Sequence, residues 1–482
     1  MHNRLYSQWF SFFVVPALSF SLVLLPGAAN AQVQPVTVAV GAGAGAALAP
    51  SFLGLSYEAS MLLPQNGHYY FDANDQALLN TFKTLGIKSL RVGANAVDDP
   101  RIPVPQEKDI DALFSFARAA GVKVIYSFRL KNGDPNESAR LASYIAAHDA
   151  DVLDCFAMGN EPSFFLKTFP EYYAQWKPQY DAILKAVPGA RFDGPSVAGK
   201  NTYVLDLTKA IFPGGHLVMA SDHYYFLGSG RAAEKDPVAS RARFLSNRLH
   251  ADYARDYAEV GGALAAQKVP YRIDEMNSCY NGGAKDSSDT FASTLWSLDC
   301  SHWWAAHHIL GMNYHTGESV GRDGKFGPPN YAAFLHATDG PGFTMRPQAY
   351  GLLAFTEGAH GKPLMLKLQN LPGFDFAAYA YQDSGSVYVT LINKSYGDHA
   401  QAASVSLRLL ADRGPGVWQR MDLAQTDHDV AAKTGVALGG AAIDTQGNWA
   451  GQWRPLKDAN VGSVVVQVGS ASAAILRFSP VE

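Results

Sequence analysis

Two acidic residues carry the strongest chemical signal in this chain. Glu161 stands in Met158-Gly159-Asn160-Glu161-Pro162, and Glu275 stands in Ile273-Asp274-Glu275-Met276-Asn277. Each follows a short apolar run. Two carboxylates flanking one pocket are the constellation of glycosidic bond hydrolysis. One must be protonated to donate to the leaving oxygen; the other must be ionised to attack the sugar carbon or activate water. Their surroundings must therefore push the two pKa values apart. Asn160 offers an amide beside Glu161, suited to a sugar 2-hydroxyl. Pro162 removes a donor and turns the chain out of the strand. A single Glu at a strand end is ordinarily a surface residue or an ion-pair partner. Two at matching places, one inside Asn-Glu-Pro, point to a site.

Such a pair needs a scaffold that brings distant residues together. Eight short apolar runs occur before residue 320: Phe52–Tyr57, Ser89–Gly93, Val122–Phe128, Val152–Met158, Arg191–Pro195, Leu217–His223, Tyr271–Met276 and Leu310–His315. Helical patterning fills Asp75–Leu85, Glu107–Ala120, Ser138–Ala147, Glu171–Val187, Ala239–Ala266 and Ser287–His308 between them. Runs buried on both faces, alternating with amphipathic helices, are parallel βαβ units. Eight units at this length predict an α/β fold, a (β/α)8 TIM barrel over residues 51–358, closed by a helix at Pro347–Glu357. Active sites of such barrels lie at the C-terminal ends of the strands. Glu161 ends the fourth strand and Glu275 the seventh, and these face each other across the mouth.

After about residue 360 the texture changes. Ser386–Asn393, Ala403–Leu409, Gly416–Asp422, Ser463–Val468 and Ala473–Ser479 read as strands punctuated by Gly, Asp and Asn. They predict a C-terminal all-β sandwich over residues 359–482. Gln34–Val40 is also strand-like, has no helix after it, and is expected to join that β-domain. Residues 32–50 are thus a strand and a Gly/Ala linker.

The N-terminus reads as a targeting segment. Arg4 precedes the apolar stretch Phe10–Leu25, and Asn30-Ala31 closes an A-x-A ending, so residues 1–31 have the pattern of a secretory signal peptide. The mature protein is expected to be secreted or periplasmic, with no membrane span after cleavage. The 482 residues are 48% hydrophobic, 12% aromatic and 17% charged, with a net charge of −4. That excludes a disordered chain and gives no basic excess for nucleic acid. Losing residues 1–31 removes Arg4 and no acid, so the mature balance is more acidic still. Recognition of an anionic ligand must then be local rather than steered by overall charge.

Three cysteines, Cys155, Cys279 and Cys300, make no disulfide scaffold. Cys279 and Cys300 are free to pair, whereas Cys155 lies in an apolar run and reads as a buried thiol. No spacing matches a zinc motif, and His307-His308 has no ligand partners nearby, so neither metal nor cofactor is expected.

Gly159-Asn160-Glu161-Pro162 with a Glu ending strand seven resembles the clan of retaining barrel glycosidases whose glutamates sit on strands four and seven. More narrowly, the chain resembles glycoside hydrolase family 79, the β-glucuronidase and heparanase-like family. The segments that carry this are Phe52–Glu58, Leu90–Asn95, Asp274–Ser278 and Arg346–Leu353. The resemblance implies Glu161 as general acid/base and Glu275 as nucleophile, acting with retention. It implies that a glucuronic-acid-containing saccharide or glucuronide conjugate is the ligand. The substrate carboxylate would lie near the loop after strand seven, at Tyr280, with Tyr331 of the loop after strand eight as second tyrosine. An aromatic hydroxyl beside the nucleophile suggests Tyr225, with Tyr224 equally available. Where the family commonly has Gly-Gly, this chain has Gly93-Ala94, and the extra methyl is expected to narrow the mouth.

Other strand ends add candidates. Glu58, after strand one, and Asp98, past strand two, would hold sugar hydroxyls or form structural ion pairs. Arg91 alternates with apolar residues, so it is expected inside the barrel, keeping a catalytic Glu ionised. His223 ends strand six. Trp296, Trp303 and Trp304 share a helix and read as packing. Arg129 and Lys131 follow strand three, as anion-attracting or solvated charges. The leading expectation is exo-action on terminal glucuronic acid, favoured by a Gly- and Pro-rich 315–345 loop suited to a pocket wall and by the lack of a basic groove. An endo-acting, heparanase-like enzyme and a non-catalytic carbohydrate-binding barrel are the alternatives.

Overall fold

A computed structural model describes residues 33–43, 45–199, 201–319, 328–456 and 462–481. The expected signal peptide and its cleavage point lie outside the described residues. Eight parallel strands close into a barrel in chain order. They are β1 (Leu53–Glu58), β2 (Ser89–Gly93), β3 (Lys123–Phe128), β4 (Leu153–Met158), β5 (Phe192–Ala198), β6 (Leu217–Tyr225), β7 (Tyr271–Asn277) and β8 (Gly311–His315). Pairing of Leu53 with Met312 and Ser56 with His315 closes the ring. Each of the eight apolar runs is thus a barrel strand, because a strand walled by helices outside and side chains inside is buried on both faces and so largely apolar.

Local chemistry sets the helices between them. Asp75 accepts from the Leu78 N–H at 3.0 Å and starts the helix Gln76–Thr84. Thr168 and Glu171 form a capping box at the head of Phe169–Ala186. Gly121, at φ 71°, ends Glu107–Ala120 in the left-handed region and hands the chain to β3. The long helix expected over Ala239–Ala266 is three pieces, Pro237–Leu245, Leu249–Glu259 and Gly261–Ala266. Asn247 breaks the first junction: its N–H donates to Asp375 Oδ1 at 2.8 Å and its amide to the Phe376 carbonyl at 3.0 Å, tying it to the β-domain. Gly261-Gly262 marks the second.

The β-domain is a ten-stranded sheet, nine strands on one hydrogen-bonded path with Arg454–Pro455 paired beside Gly416–Gln425. Gln34–Gly43 runs between Lys362–Gln369, antiparallel, and Ala403–Leu409, parallel. Lys362 and Pro363 pair with Tyr381 and Gln382, after which the same strand passes to Gln34–Gly43. The path so turns a corner and its two halves enclose one core. Val36, Val38, Val40, Val405, Leu407 and Val466 come from one half and Val387, Val389, Leu391, Leu476 and Phe478 from the other. Each buried valine there contributes about 1.5–2 kcal/mol.

Phe291–Ala306 and Pro347–Gly358 pack against each other and touch the β-domain. They are buried almost all round, which explains why they are apolar without a polar stripe. Trp296, Trp303 and Trp304 are buried on the first of them, as packing residues. Among the described residues no helix is long and apolar enough to cross a membrane. All three cysteines are buried free thiols, so Cys279 and Cys300 do not pair.

Candidate active site

The C-terminal ends of the strands surround a cavity of about 780 Å³, lined by Glu58, Asn95, Glu161, His223, Tyr225, Glu275, His315 and Tyr331 among others. Glu161 leaves β4 with φ 45°, a left-handed conformation that costs a non-glycine residue roughly 1–2 kcal/mol. Its N–H is held by the Ser196 carbonyl at 2.8 Å. Gly159 before it is obligatory: a Cβ there would stand 2.7 Å from Leu130 Cβ and 3.1 Å from Asp98 Oδ2.

Glu275 lies on β7 with both oxygens engaged. Arg91 Nη1 donates to Oε2 at 2.6 Å, and Tyr225 donates to Oε1 at 2.8 Å. Tyr225 rather than Tyr224 makes this contact; the Tyr224 ring stacks on Phe226. Arg91 is fully buried. It also donates to Ser56 Oγ at 3.1 Å and to Asn160 Oδ1 at 2.9 Å, and its Nε lies 3.5 Å from Asp274 Oδ2. Successive residues Asp274 and Glu275 therefore both reach Arg91, although strand side chains alternate. Irregular register between β6 and β7 at Asp222/His223, and between β7 and β8 past Ile273, permits it.

Burial alone would raise the Glu275 carboxyl. The charges of His315, His223 and Arg91, with the Tyr225 hydroxyl, outweigh it and bring the group down to about 2. Burial holds His315 itself below the ordinary imidazole range, so near neutrality the effect rests on His223 and Arg91. His223 bridges two acids. Its Nδ1 is 3.1 Å from Glu161 Oε1, and its Nε2 is 3.5 Å from Asp274 Oδ1. Burial opposes its charge, but Glu275, Asp274 and Glu161 raise the ring to about 10. Burial and Glu275 push Tyr225 and Tyr331 well above the ordinary phenol range, so both remain hydrogen-bond donors.

One oxygen of Glu161, one of Glu275 and one ring nitrogen of His223 lie within 4.8 Å of one another. Three such groups are a conceivable cation cradle. Here the Arg91 guanidinium and a charged His223 already neutralise the acids, which disfavours a metal ion.

The remaining candidates divide. Glu58 lines the cavity, with Oε2 accepting from the Ala96 N–H at 2.7 Å. Tyr280 and Tyr331 both stand on the wall, each with its ring centroid within 6.4 Å of that of Tyr225. Asp98 does not act as a sugar ligand. Its Oδ1 accepts from the N–H groups of Leu130 and Lys131 at 2.8 and 2.7 Å, and its Oδ2 from the N–H of Asn160 at 2.8 Å. It ties the loops after β2, β3 and β4 together and thereby places Asn160. Arg129 donates to the Val97, Asp99 and Ile102 carbonyls, and Lys131 lies over the Phe165 ring, so both are structural. Ala94 is fully buried and does not narrow the mouth; the departure is one of backbone, an alanine at φ 49°.

Residue order had not singled out His315, Asn95, Arg231 or Phe164, all on the cavity wall. His315 ends β8, so the strand-end rule would have found it. Asp274 stands out in the sequence only as the neighbour of Glu275, yet Ser196 donates to it at 2.6 Å and it faces His223.

No family model matches the chain. A curated β-glucuronidase from Aspergillus niger is 23% identical over 296 residues, 51% of this chain and 54% of the relative. The match spans about half the length of that relative. Among solved structures, a 4-O-α-L-rhamnosyl-β-D-glucuronidase from Fusarium oxysporum 12S has a TM-score of 0.68 at 19% identity, covering 91% of this chain and 99% of that one. A GH51 arabinofuranosidase from Xanthomonas axonopodis pv. citri has a TM-score of 0.66 at 15% identity, covering 92% and 100%. At such identity the structural likeness establishes the fold, a (β/α)8 barrel followed by a β-domain.

Proposed function

We propose that this chain is a glycosidase that removes terminal β-linked glucuronic acid from saccharides or glucuronide conjugates, by double displacement with retention. The observation that carries the reading is the approach of Glu161 and Glu275, from β4 and β7, to within 4.8 Å over one cavity. That closeness suits a retaining pair, spaced roughly 5–5.5 Å, rather than an inverting pair at roughly 6.5–9.5 Å. The similarity to a β-glucuronidase over half the chain supports the choice of sugar.

Glu275, ionised at neutral pH and oriented by Arg91 and Tyr225, attacks the anomeric carbon. The bond to the leaving oxygen breaks as Glu161 protonates it. His223 Nδ1, 3.1 Å from Glu161 Oε1, is placed to resupply that proton. Glu161, now a carboxylate, takes a proton from water, and the hydroxide cleaves the glycosyl ester and frees Glu275. Asn160 spends Oδ1 on Arg91 and keeps Nδ2 without a protein partner among the described residues, available for the 2-hydroxyl. The Tyr280 and Tyr331 hydroxyls and the Arg231 side chain, all on the cavity wall, supply donors for the sugar carboxylate.

Exo-action is favoured by the interlocked wall. Tyr280 and the segment at Gly228–Gly230 exchange backbone hydrogen bonds of 2.9 and 3.0 Å, and the Asn330 N–H donates to the Gly282 carbonyl at 2.6 Å. Export is proposed from residues 1–31 and is checked by sequencing the N-terminus of the mature protein.

Aryl β-glucuronide, β-glucoside and β-xyloside are compared, with proton NMR of the first-formed sugar. The expected result is a marked preference for the glucuronide and initial release of the β-anomer. Preference for a neutral sugar overturns the substrate; initial α-anomer overturns retention.

A further inference from the structure

Large apolar side chains of this protein are mostly internal. Of those that remain exposed among the described residues, two are aromatic, Phe164 at 64% and Tyr280 at 46%. Both line the catalytic cavity. They stand on opposite sides of the chemistry, Phe164 three positions after Glu161 and Tyr280 five after Glu275. One exposed phenylalanine is ordinary. Its place is what counts here.

That place is set by the turn that follows Glu161. The Phe164 N–H donates to the Glu161 carbonyl at 3.0 Å, and the Phe165 and Leu166 N–H groups donate to Pro162 at 3.1 and 2.8 Å. This short helix turns Phe165 and Leu166 towards the core and leaves Phe164 on the cavity. No other aromatic ring packs against it among the described residues.

A general acid must reach the glycosidic oxygen, so the leaving group lies on the side of the loop that carries it. The cleaved sugar lies over Glu275, among Glu58, Asn95, His315 and Tyr331. Beyond Glu161 the described wall changes character: Phe164, Ala198 and Gly199 offer aromatic and small surfaces without a formal charge. A cavity of about 780 Å³ leaves room for a second ring there.

We propose that Phe164, with Ala198 and Gly199, forms a leaving-group subsite that takes a flat ring with an apolar face by stacking. An aryl aglycone and the apolar face of a second sugar share that chemistry. The proposal rests on the glycosidase reading. Leaving-group recognition then comes from an aromatic platform, while the polar side of the cavity recognises the glucuronic acid.

The test uses the full protein, wild type and the Phe164→Ala and Phe164→Trp variants. Three substrates are compared: an aryl β-glucuronide, a glucuronosyl-β-disaccharide and β-glucuronyl fluoride, whose leaving group has no ring. In Phe164→Ala the ratio of kcat/KM for a ring-bearing substrate to that for the fluoride falls about 2- to 10-fold, the range that aromatic stacking supplies. Phe164→Trp restores the ratio. A fall for the aryl substrate alone assigns the platform to aryl aglycones, and for the disaccharide alone to sugars. An unchanged ratio, with or without a uniform fall in rate, overturns the subsite. Wild type inactive on all three overturns the glycosidase reading itself.

Discussion

The protein gathers buried charge both at the barrel mouth and where the barrel meets the β-domain, and the two places use it differently. At the mouth, Arg91, His223, Asp274, Glu161 and Glu275 share hydrogen bonds under a cavity. At the domain boundary, Asp299 of the helix Phe291–Ala306 accepts from Lys394 Nζ at 2.5 Å, His250 Nε2 at 2.9 Å and the Tyr379 hydroxyl at 2.7 Å. Asp299 is held far below the ordinary carboxylate range by His250 and Lys394, against its burial. Beside it, burial takes His302 down to about 3, and its Nδ1 pairs with the Tyr381 hydroxyl at 2.9 Å. Both clusters are buried and both have displaced pKa values. At the boundary Lys394 borders a cavity, but its ammonium and the Asp299 oxygens are spent on each other and on His250 and Tyr379 within the protein. The mouth keeps a free amide donor at Asn160 and a carboxylate at Glu161 that is 14% exposed. A shifted pKa thus marks a site only where spare bonding capacity meets open space.

The comparison can be broken in four ways. The largest effect is at the mouth: Glu275→Ala lowers kcat/KM on an aryl glucuronide by about 10⁴-fold or more. Added azide restores turnover, with an α-glucuronyl azide as product by NMR. Next comes the boundary. Asp299→Ala leaves Lys394 buried without its partner and costs about 3–5 kcal/mol in urea unfolding. Its kcat stays near wild type; a rate loss like that of Glu275→Ala would erase the distinction.

The third difference is in pH. His223, raised to about 10, stabilises the fold fully below its ordinary value near 6.5, and this is lost as pH rises through about 10. Asp299, depressed, stabilises fully above its ordinary value near 3.9 and loses this as pH falls. His302 stays neutral in the fold down to about 3 while the unfolded chain takes up a proton below about 6.5, so it adds to the acid loss. Tm measured against pH should flatten on the acid side in Asp299→Asn. In Asp274→Asn, His223 loses an anionic partner and holds its proton less tightly. The alkaline limb of kcat/KM then moves down by about 1 pH unit or more. An unmoved limb would remove Asp274 from the proton's control. The smallest effect is at the edge of the mouth. Ala94→Gly relieves a left-handed alanine and gains up to about 1 kcal/mol in urea unfolding.

The eight barrel strands were legible because each is a short, largely apolar run bounded by turn chemistry. Strands such as Lys362–Gln369 were not, since Met365 faces solvent and lysines alternate with leucines there. The helix Asn201–Ile211 was also missed, and the Ala239–Ala266 periodicity hid two breaks, one made by contacts from residues 375 and 376. Glu161 and Glu275 stood out because a strand end at the barrel mouth is a place that residue order reveals. Asp98 stands at a similar place, and residue order left it between a sugar ligand and a structural ion pair. Its three partners are backbone N–H groups brought by other loops, which leave no trace in the sequence. Cys279 and Cys300 were open to pairing until folding buried them separately.

Residue order therefore settles which side chains arrive at the mouth, because hydrophobic periodicity fixes where each strand begins and ends. Tertiary structure settles what each of them is. Arg91 on β2, Tyr225 on β6 and Glu275 on β7 meet only when the barrel closes. The ionisation of Glu275 depends on the few ångströms between those groups, since electrostatic interaction follows distance through space and not separation along the chain.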